Sequence, residues 1–171
     1  MDFVYDQFYF KTKIEIQPSQ ITEKNTDYID KFINLSVLNN LENKCNEQGF
    51  IEGNSIKLIK RSLGYHNPIS FNDKIYFDVI CSANICKPEK NNIYLSEITG
   101  INKIGITSKI LTRRGSYPLS IIISKHNQTI NLDNLKIGDQ IYVKILAKKF
   151  TLKSQIIKTI ADIVDDNYIN N

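Results

Sequence analysis

The pattern of apolar and polar positions is most regular in residues 135–146, LKIGDQIYVKIL. A Gly-Asp turn signal comes first, and aliphatic residues then alternate with others in the order Ile141, Tyr142, Val143, Lys144, Ile145. A period of two predicts a half-buried β-strand whose aliphatic side chains seal a core. The other face presents a ring beside an ammonium group, which suits a single-stranded nucleic acid because bases stack on rings and phosphates pair with cations. An ordinary exposed strand face has the same pattern, so both interpretations stay open.

The first half of the chain predicts an α+β domain, with a helix on an antiparallel sheet. Thr26 or Asp27 can cap a helix, because a side-chain oxygen there accepts from the free amides of the first turn. Apolar residues then recur every three or four positions and form one stripe: Ile29, Phe32, Ile33, Val37, Leu41. Alternation predicts strands at residues 7–16, at 51 together with 56–59, and at 74–83.

The second half predicts only strands, separated by turn-like breaks. They cover residues 93–100, 104–110, 119–123, 140–149 and 155–163. Five short strands in such a short segment suit a small closed barrel of the OB type better than a sandwich. A polar segment containing Lys87-Pro88 precedes them, and proline interrupts strand pairing. We therefore expect an amino-terminal domain at residues 1–88 and an all-β five-stranded barrel at 89–171.

Charge is distributed unevenly along the chain. The net charge is +4, but residues 1–88 hold 10 Lys+Arg and 11 Asp+Glu, whereas residues 89–171 hold 12 and 7. The first half thus carries −1 and the second +5. This difference places a polyanionic partner on the second half.

The residue types argue against an enzyme, a metal site and a membrane protein. Three cysteines, Cys45, Cys81 and Cys86, leave an odd thiol, and no second pair or nearby histidine completes a zinc site. We expect reduced thiols, no metal and no cofactor. The chain has two histidines, no Gly-rich phosphate loop and no nucleophile elbow. No apolar run approaches the roughly 20 residues of a membrane span, so we expect an intracellular protein.

Two loops carry residues suited to binding. Leu63, Gly64 and Tyr65 lie in a connection between strands, and exposed apolar residues there are candidates for insertion into a partner, unless they fold back onto their own sheet. Residues 111–118, LTRRGSYP, combine an arginine pair with glycine and tyrosine. That composition favours phosphate contact and stacking, although a solvated loop has the same residues.

Residues 138–146, GDQIYVKIL, resemble the LK-x-GD-x-V-x-VK-V/I-L signature of the S1 RNA-binding domain, an OB barrel. The upstream order of Lys44-Cys45, Gly49-Phe50-Ile51, Gly64, Ala83 and Lys87-Pro88 resembles stalk subunit seven of multisubunit DNA-directed RNA polymerase. The short, divergent chain is most similar to versions encoded by large DNA viruses of eukaryotes. Two departures are Asn91-Asn92 in place of the family's Gly-Glu, and Ile106 where S1 domains usually carry an aromatic residue after a glycine.

The resemblance implies a non-catalytic stalk that docks on the polymerase core and contacts nascent single-stranded RNA with little sequence readout. Docking would use Leu63, Gly64 and Tyr65. The RNA-binding candidates are Tyr94, Lys103, Lys109, Arg113, Arg114, Tyr117, Tyr142, Lys144, Lys148 and Lys149. Family members often pair with a small helical fourth subunit. Viral transcription would place the protein in a cytoplasmic viral factory, the nucleus or the virion.

Two other functions fit the same residues. The chain could be a free-standing S1 or OB protein that binds RNA on its own, with residues 1–88 as an independent module. It could also be an assembly adaptor whose barrel never touches RNA, which the missing aromatic at Ile106 favours. Co-purification of polymerase subunits separates the free-standing protein from the other two.

Overall fold

The computed structural model describes residues 4–21, 26–69, 72–110, 118–124 and 135–164. Within these ranges the chain forms one α-helix, one short 3-10 helix and nine strands. Their bounds are β1 Asp6–Ile16, 3-10 helix Pro18–Gln20, α1 Thr26–Leu41, β2 Phe50–Ile51, β3 Lys57–Arg61, β4 Ile75–Cys86, β5 Ile93–Ile101, β6 Gly105–Lys109, β7 Leu119–Ser124, β8 Gln140–Lys149 and β9 Ile157–Val164. No helix in the described part of the chain has the length and apolar character required to cross a membrane.

The chain divides into two compact units. The barrel unit comprises the described residues of Met1–Asp6, Lys44–Phe50 and Cys86–Asn171, and the sheet unit comprises those of Gln7–Asn43 and Ile51–Ile85. The chain passes from the sheet unit to the barrel unit between Ile85 and Cys86, close to the boundary expected at residue 88. The units are nevertheless discontinuous in sequence, which the division into 1–88 and 89–171 did not anticipate.

The barrel unit contains a closed barrel in the order β5-β6-β7-β9-β8, with β8 pairing back onto β5. Strands β7 and β9 are parallel, and the other pairs are antiparallel. This OB-like arrangement confirms the expected five-stranded barrel. Its interior is filled mainly by aliphatic side chains that have no exposed surface: Ile98, Ile106, Ile121, Ile123, Val143, Ile145, Ile157. Burial of each stabilises the fold by about 1.5–3 kcal/mol.

The Gly-Asp turn fixes the start of β8 against β5. Gly138 has a φ of +97°, a left-handed value that glycine adopts without steric cost. Its amide donates to the carbonyl of Ile98, and the Ile98 amide donates to the carbonyl of Asp139, both at 2.9 Å. The Asp139 carboxylate also accepts the Lys136 amide at 2.8 Å. This explains why the turn needs both residue types.

The Lys44–Phe50 segment belongs to the barrel unit because it hydrogen-bonds and packs there. The Cys45 amide donates to the Ser154 carbonyl at 2.7 Å, and the Lys153 amide donates to the Cys45 carbonyl at 2.8 Å. The Phe50 side chain lies in the same core cluster as the barrel isoleucines. These long-range contacts explain why a boundary read from composition alone misplaced the segment.

The sheet unit contains an antiparallel sheet in the order β1-β4-β2, with β3 also pairing β4. Helix α1 packs on one face through a core that includes Phe10, Ile14, Ile33, Val37 and Phe77. A helix on an antiparallel sheet agrees with the α+β expectation. The single strand expected at 51 and 56–59 is instead two strands, β2 and β3.

A turn separates β2 from β3. Asn54 has a φ of +57°, and the Ser55 hydroxyl donates to the Glu52 carbonyl at 2.6 Å. This local hydrogen bond gives the backbone an alternative to strand pairing. It explains why the predicted single strand is interrupted.

Candidate nucleic-acid and docking surfaces

The outer face of β8 carries the tyrosine and lysine predicted from its alternation. Tyr142 lies opposite Leu95 of β5, and Lys144 lies opposite Ile93. A bulge falls between Ile145 and Ala147. The extra residue shifts the alternation by one position. Lys149 therefore lies on the same outer face as Tyr142 and Lys144. Without the bulge, strict alternation from Ile145 would place it on the inner face.

Two lysines face each other where β8 ends and β9 begins. Lys149 lies directly opposite Lys158, both are exposed, and Lys153 lies in the connection between the strands. We call these three residues the basic hairpin. Directly opposed like charges destabilise a strand pair, and a bound anion would relieve that repulsion. The sequence prediction included Lys149 but missed Lys153 and Lys158, because only the strand register brings them together.

Two other predicted RNA-binding lysines have acidic neighbours across the strands. Lys109 lies opposite Glu97, and Lys144 lies opposite Asp162. These carboxylates offset part of the positive potential, so the basic hairpin is the more strongly cationic site. Lys103 is exposed in the turn between β5 and β6, beyond the paired positions of those two strands.

Lys148 differs from Lys149 in its position. It lies opposite Thr159, whose side chain is buried, so it belongs to the other face of the strand. Burial raises the pKa of the Cys86 thiol to about 12, and the nearby Lys148 ammonium opposes part of that rise. Lys148 therefore lies on the opposite face of β8 from Lys149, near the Cys86 thiol.

Tyr94 was predicted to stack on RNA, and its position contradicts that assignment. The side chain is 7% exposed and belongs to the barrel core. Its hydroxyl accepts the Asn92 side-chain amide at 3.2 Å, and burial raises its pKa. The ring has no open face for a base. Its neighbours Ile93 and Leu95 are the residues that point outward, at 40% and 45% exposure.

Ile106 also faces the interior. The side chain has no exposed surface and packs in the barrel core. Ile106, where S1 domains usually carry an aromatic residue, is therefore not a surface position, and a ring there would not be available for stacking. The outward neighbour is Thr107, which is half-buried and whose hydroxyl donates to the Gly100 carbonyl at 3.3 Å.

Three of the predicted RNA-binding residues, Arg113, Arg114 and Tyr117, lie outside the residues that the structure describes. Their assignment stays a prediction. Among the predicted rings, Tyr142 is thus the one that the described structure places on the outer face of the barrel.

The predicted docking loop is held at both ends in the sheet unit. The Ser62 amide donates to the Asp78 carbonyl at 2.9 Å, and the Asp78 amide donates to the Ser62 hydroxyl at 3.0 Å. Three residues later, Tyr65 exchanges two backbone hydrogen bonds with Tyr76, at 2.8 and 3.0 Å. Leu63 lies between these points and is 85% exposed. The loop therefore presents an apolar side chain on a fixed backbone.

Gly64 is required by the close packing of this loop. A Cβ at Gly64 would lie 2.8 Å from Cγ2 of Ile75 and 2.9 Å from Cζ of Phe77. Both distances are far below van der Waals contact, and Phe77 is a core residue. A side chain at this position would displace the loop or disturb the core beneath it.

Leu63 and Tyr65, predicted as a pair, have different surroundings. Tyr65 is half-buried beside Tyr76, with ring centroids 6.1 Å apart, and the Lys13 ammonium lies 5.6 Å from its ring centroid. Sequence reasoning missed Ile69, which is 87% exposed in the same connection. Its position after Pro68 in a polar segment was a usable signal. Leu63 and Ile69 are thus the exposed apolar candidates for docking.

The three cysteines are buried free thiols. Burial raises the pKa of Cys81 to about 11 and that of Cys86 to about 12. No cluster of three or more potential metal ligands from His, Cys, Asp and Glu occurs among the described residues.

No protein-family model and no curated protein matches the chain. Among solved structures, an uncharacterized protein of Methanocaldococcus jannaschii is similar over 43% of this chain and 90% of its own. The two share 19% identity, with a TM-score of 0.32.

Proposed function

We propose that this protein is a non-catalytic stalk subunit of a multisubunit DNA-directed RNA polymerase, similar to subunit seven. In this proposal the sheet unit is the tip domain that docks on the core enzyme, and the barrel contacts nascent RNA. The observation that carries the proposal is the fixed loop from Ser62 to Tyr65, which holds Leu63 at 85% exposure. Ile69 in the same connection is 87% exposed, and a docking partner would cover both apolar side chains together.

Two positions compared with the family, the departure at Asn91 and the glycine before Ile106, have a conformational explanation. Asn91 occupies the place of the family's glycine and has a φ of +74°, a left-handed value that asparagine tolerates better than most residues. At Gly105, the glycine that begins the second barrel strand, any Cβ would overlap the carbonyl oxygen of Ile123.

The basic hairpin supports RNA contact. Lys149 and Lys158 place two ammonium groups side by side on the outer face, where phosphates would relieve their repulsion. Base-specific readout would require a set of hydrogen-bonding groups aimed at base edges, and charge with occasional stacking gives sequence-tolerant binding instead. Such binding suits a subunit that must accept every transcript.

The docking part is tested by affinity purification of the tagged full-length chain carrying Leu63→Asp and Ile69→Asp. We expect the variant to lose co-purifying polymerase subunits while its circular dichroism spectrum is unchanged, because both side chains are exposed. The matched control is Leu152→Asp with Ile137→Asp, two exposed apolar positions in the barrel unit at 64% and 68% exposure. If the loop variant and the control retain polymerase equally, the docking surface lies elsewhere.

A further inference from the structure

We propose that the solvent-facing side of the sheet unit is a second binding surface for single-stranded nucleic acid, separate from the barrel. The surface is formed by Tyr9, Lys11 and Lys13 of β1, Tyr76 of β4, Tyr65 and Lys60. We call it the tyrosine-lysine face. It does not depend on the proposed association with a polymerase.

The alternation of β1 separates this face from the helix. Phe10, Ile14 and Ile16 are buried in the core with α1. Tyr9, Lys11 and Lys13 occupy the intervening positions and are exposed. Since successive side chains of a strand point to opposite faces, these three residues lie on the side that α1 does not cover.

A groove of about 590 Å³ runs along this side of the sheet. Lys11, Lys13 and Lys60 line it, and Asp78 is the carboxylate in its wall. Arg61 also lines the groove, but its guanidinium forms a salt bridge with Asp30 of the helix. The lysines therefore outnumber the carboxylate, which favours an anionic occupant with several charges.

Two aromatic rings lie close to one of these cations, Lys13. The Lys13 ammonium is 5.6 Å from the Tyr65 ring centroid and 5.9 Å from that of Tyr76, and the Tyr65 hydroxyl raises the pKa of Lys13. Tyr9 is 63% exposed. An acidic polypeptide would need only the lysines, whereas a nucleic-acid strand uses rings for its bases and cations for its phosphates. The combination therefore favours a single strand of nucleic acid.

The charge balance of the sequence concealed this surface. The first 88 residues carry a net −1, so their overall charge does not indicate a cationic surface. In the fold, acids of this half such as Asp27 and Asp30 lie on α1, on the opposite side of the sheet from Lys11 and Lys13. Glu15 follows Lys13 on the open face and forms a salt bridge with Lys74 at 2.7 Å. The lysines that line the groove still outnumber Asp78, so the groove itself is cationic.

The test uses the full-length chain and fluorescence anisotropy with a short fluorescein-labelled oligouridine, at several salt concentrations. We expect Lys11→Glu with Lys60→Glu to weaken binding at least about fivefold and to lower the salt slope by about 1.4, since each phosphate that a lysine neutralises contributes about 0.7. The matched control is Lys31→Glu with Lys87→Glu, which makes the same change in net charge at exposed positions outside the groove. Equal binding by the variant and this control would overturn the proposal.

Stacking is tested separately with Tyr9→Ala and with Tyr9→Phe, which keeps the ring. We expect Tyr9→Ala to weaken binding by about fivefold to 150-fold, the range for removal of one stacked base, and Tyr9→Phe to bind like the wild type. The same variants are repeated with Lys149→Gln and Lys158→Gln, so that binding at the barrel is reduced. If Tyr9→Ala no longer weakens binding in the protein that also carries Lys149→Gln and Lys158→Gln, the barrel alone binds RNA and the proposal is overturned.

Competition distinguishes the kind of polyanion. Unlabelled oligouridine should displace the probe from the variant lacking Lys149 and Lys158, and polyglutamate should not at equal charge concentration. If polyglutamate binds and Lys11→Glu with Lys60→Glu abolishes that binding, the face accepts an acidic polypeptide and the proposal is wrong.

Discussion

Replacing Ile106 with phenylalanine tests which residues of β6 face the interior. The Ile106 side chain has no exposed surface and packs in the closed barrel core. A larger ring there overfills the core, so we expect a decrease of about 1–3 kcal/mol in the free energy of unfolding. Ile106→Ala, which leaves a cavity, should cost about 2–5 kcal/mol.

The neighbouring substitution Thr107→Phe is the matched control. Thr107 is half-buried and points outward beside Ile122, which is 47% exposed. Its hydroxyl lies 3.3 Å from the Gly100 carbonyl and 3.4 Å from the Thr99 hydroxyl, and removal of these long hydrogen bonds should cost about 0.5–1.5 kcal/mol. The new ring would offer a stacking platform worth about 1–3 kcal/mol per base.

Both variants are measured by urea unfolding followed by circular dichroism, with amide hydrogen exchange reporting on the barrel strands alone. RNA affinity is measured by fluorescence anisotropy. We expect Ile106→Phe to destabilise the barrel without strengthening RNA binding, and Thr107→Phe to strengthen binding with a smaller loss of stability. A stable Ile106→Phe protein that binds RNA more tightly would refute the inward orientation of Ile106.

Three further predictions rest on individual residues. Lys149→Gln with Lys158→Gln should lower the salt slope of RNA binding by about 1.4, because two phosphates are no longer neutralised, and an unchanged slope would show that these lysines face only water. Gly105→Ala should destabilise the barrel by more than about 3 kcal/mol in urea unfolding, because its Cβ overlaps the Ile123 carbonyl, and a neutral effect would contradict the close approach of β6 and β7. The thiols of Cys81 and Cys86, whose pKa values are raised to about 11 and 12, should resist alkylation at pH 8 until the chain is unfolded. Rapid alkylation of these thiols in the native protein would contradict their burial. Because the folded pKa values exceed the unfolded value of 9.0, the free energy of unfolding should fall as the pH rises above about 9.

The strands were predictable where one face is wholly apolar. In β8 the aliphatic positions Ile141, Val143 and Ile145 are all buried, as the period of two indicated. In β5 the sequence IYLSEI has apolar residues on both faces, so alternation did not indicate which face is buried, and Tyr94 was assigned to the surface. Its burial depends on pairing with β8, which alternation within one strand does not reveal.

Register and long-range packing account for the other differences. The bulge after Ile145 puts Lys149 opposite Lys158, and neither residue carries a local signal of that pairing. Similarly, the Lys44–Phe50 segment joins the barrel unit through Cys45, whose partners Lys153 and Ser154 are more than a hundred positions away. Gly64 was noted between two apolar residues, but its reason, the closeness of Ile75 and Phe77, exists only in the folded chain.

The proposed role as a polymerase stalk subunit is tested most directly by quantitative mass spectrometry of the proteins that co-purify with the tagged full-length chain from cells that produce it. We expect the large catalytic subunits of a DNA-directed RNA polymerase in near-equal molar amounts with the tagged chain, resistant to nuclease treatment. A purified chain that brings down RNA but no polymerase subunits would contradict the claim and identify a free-standing RNA-binding protein.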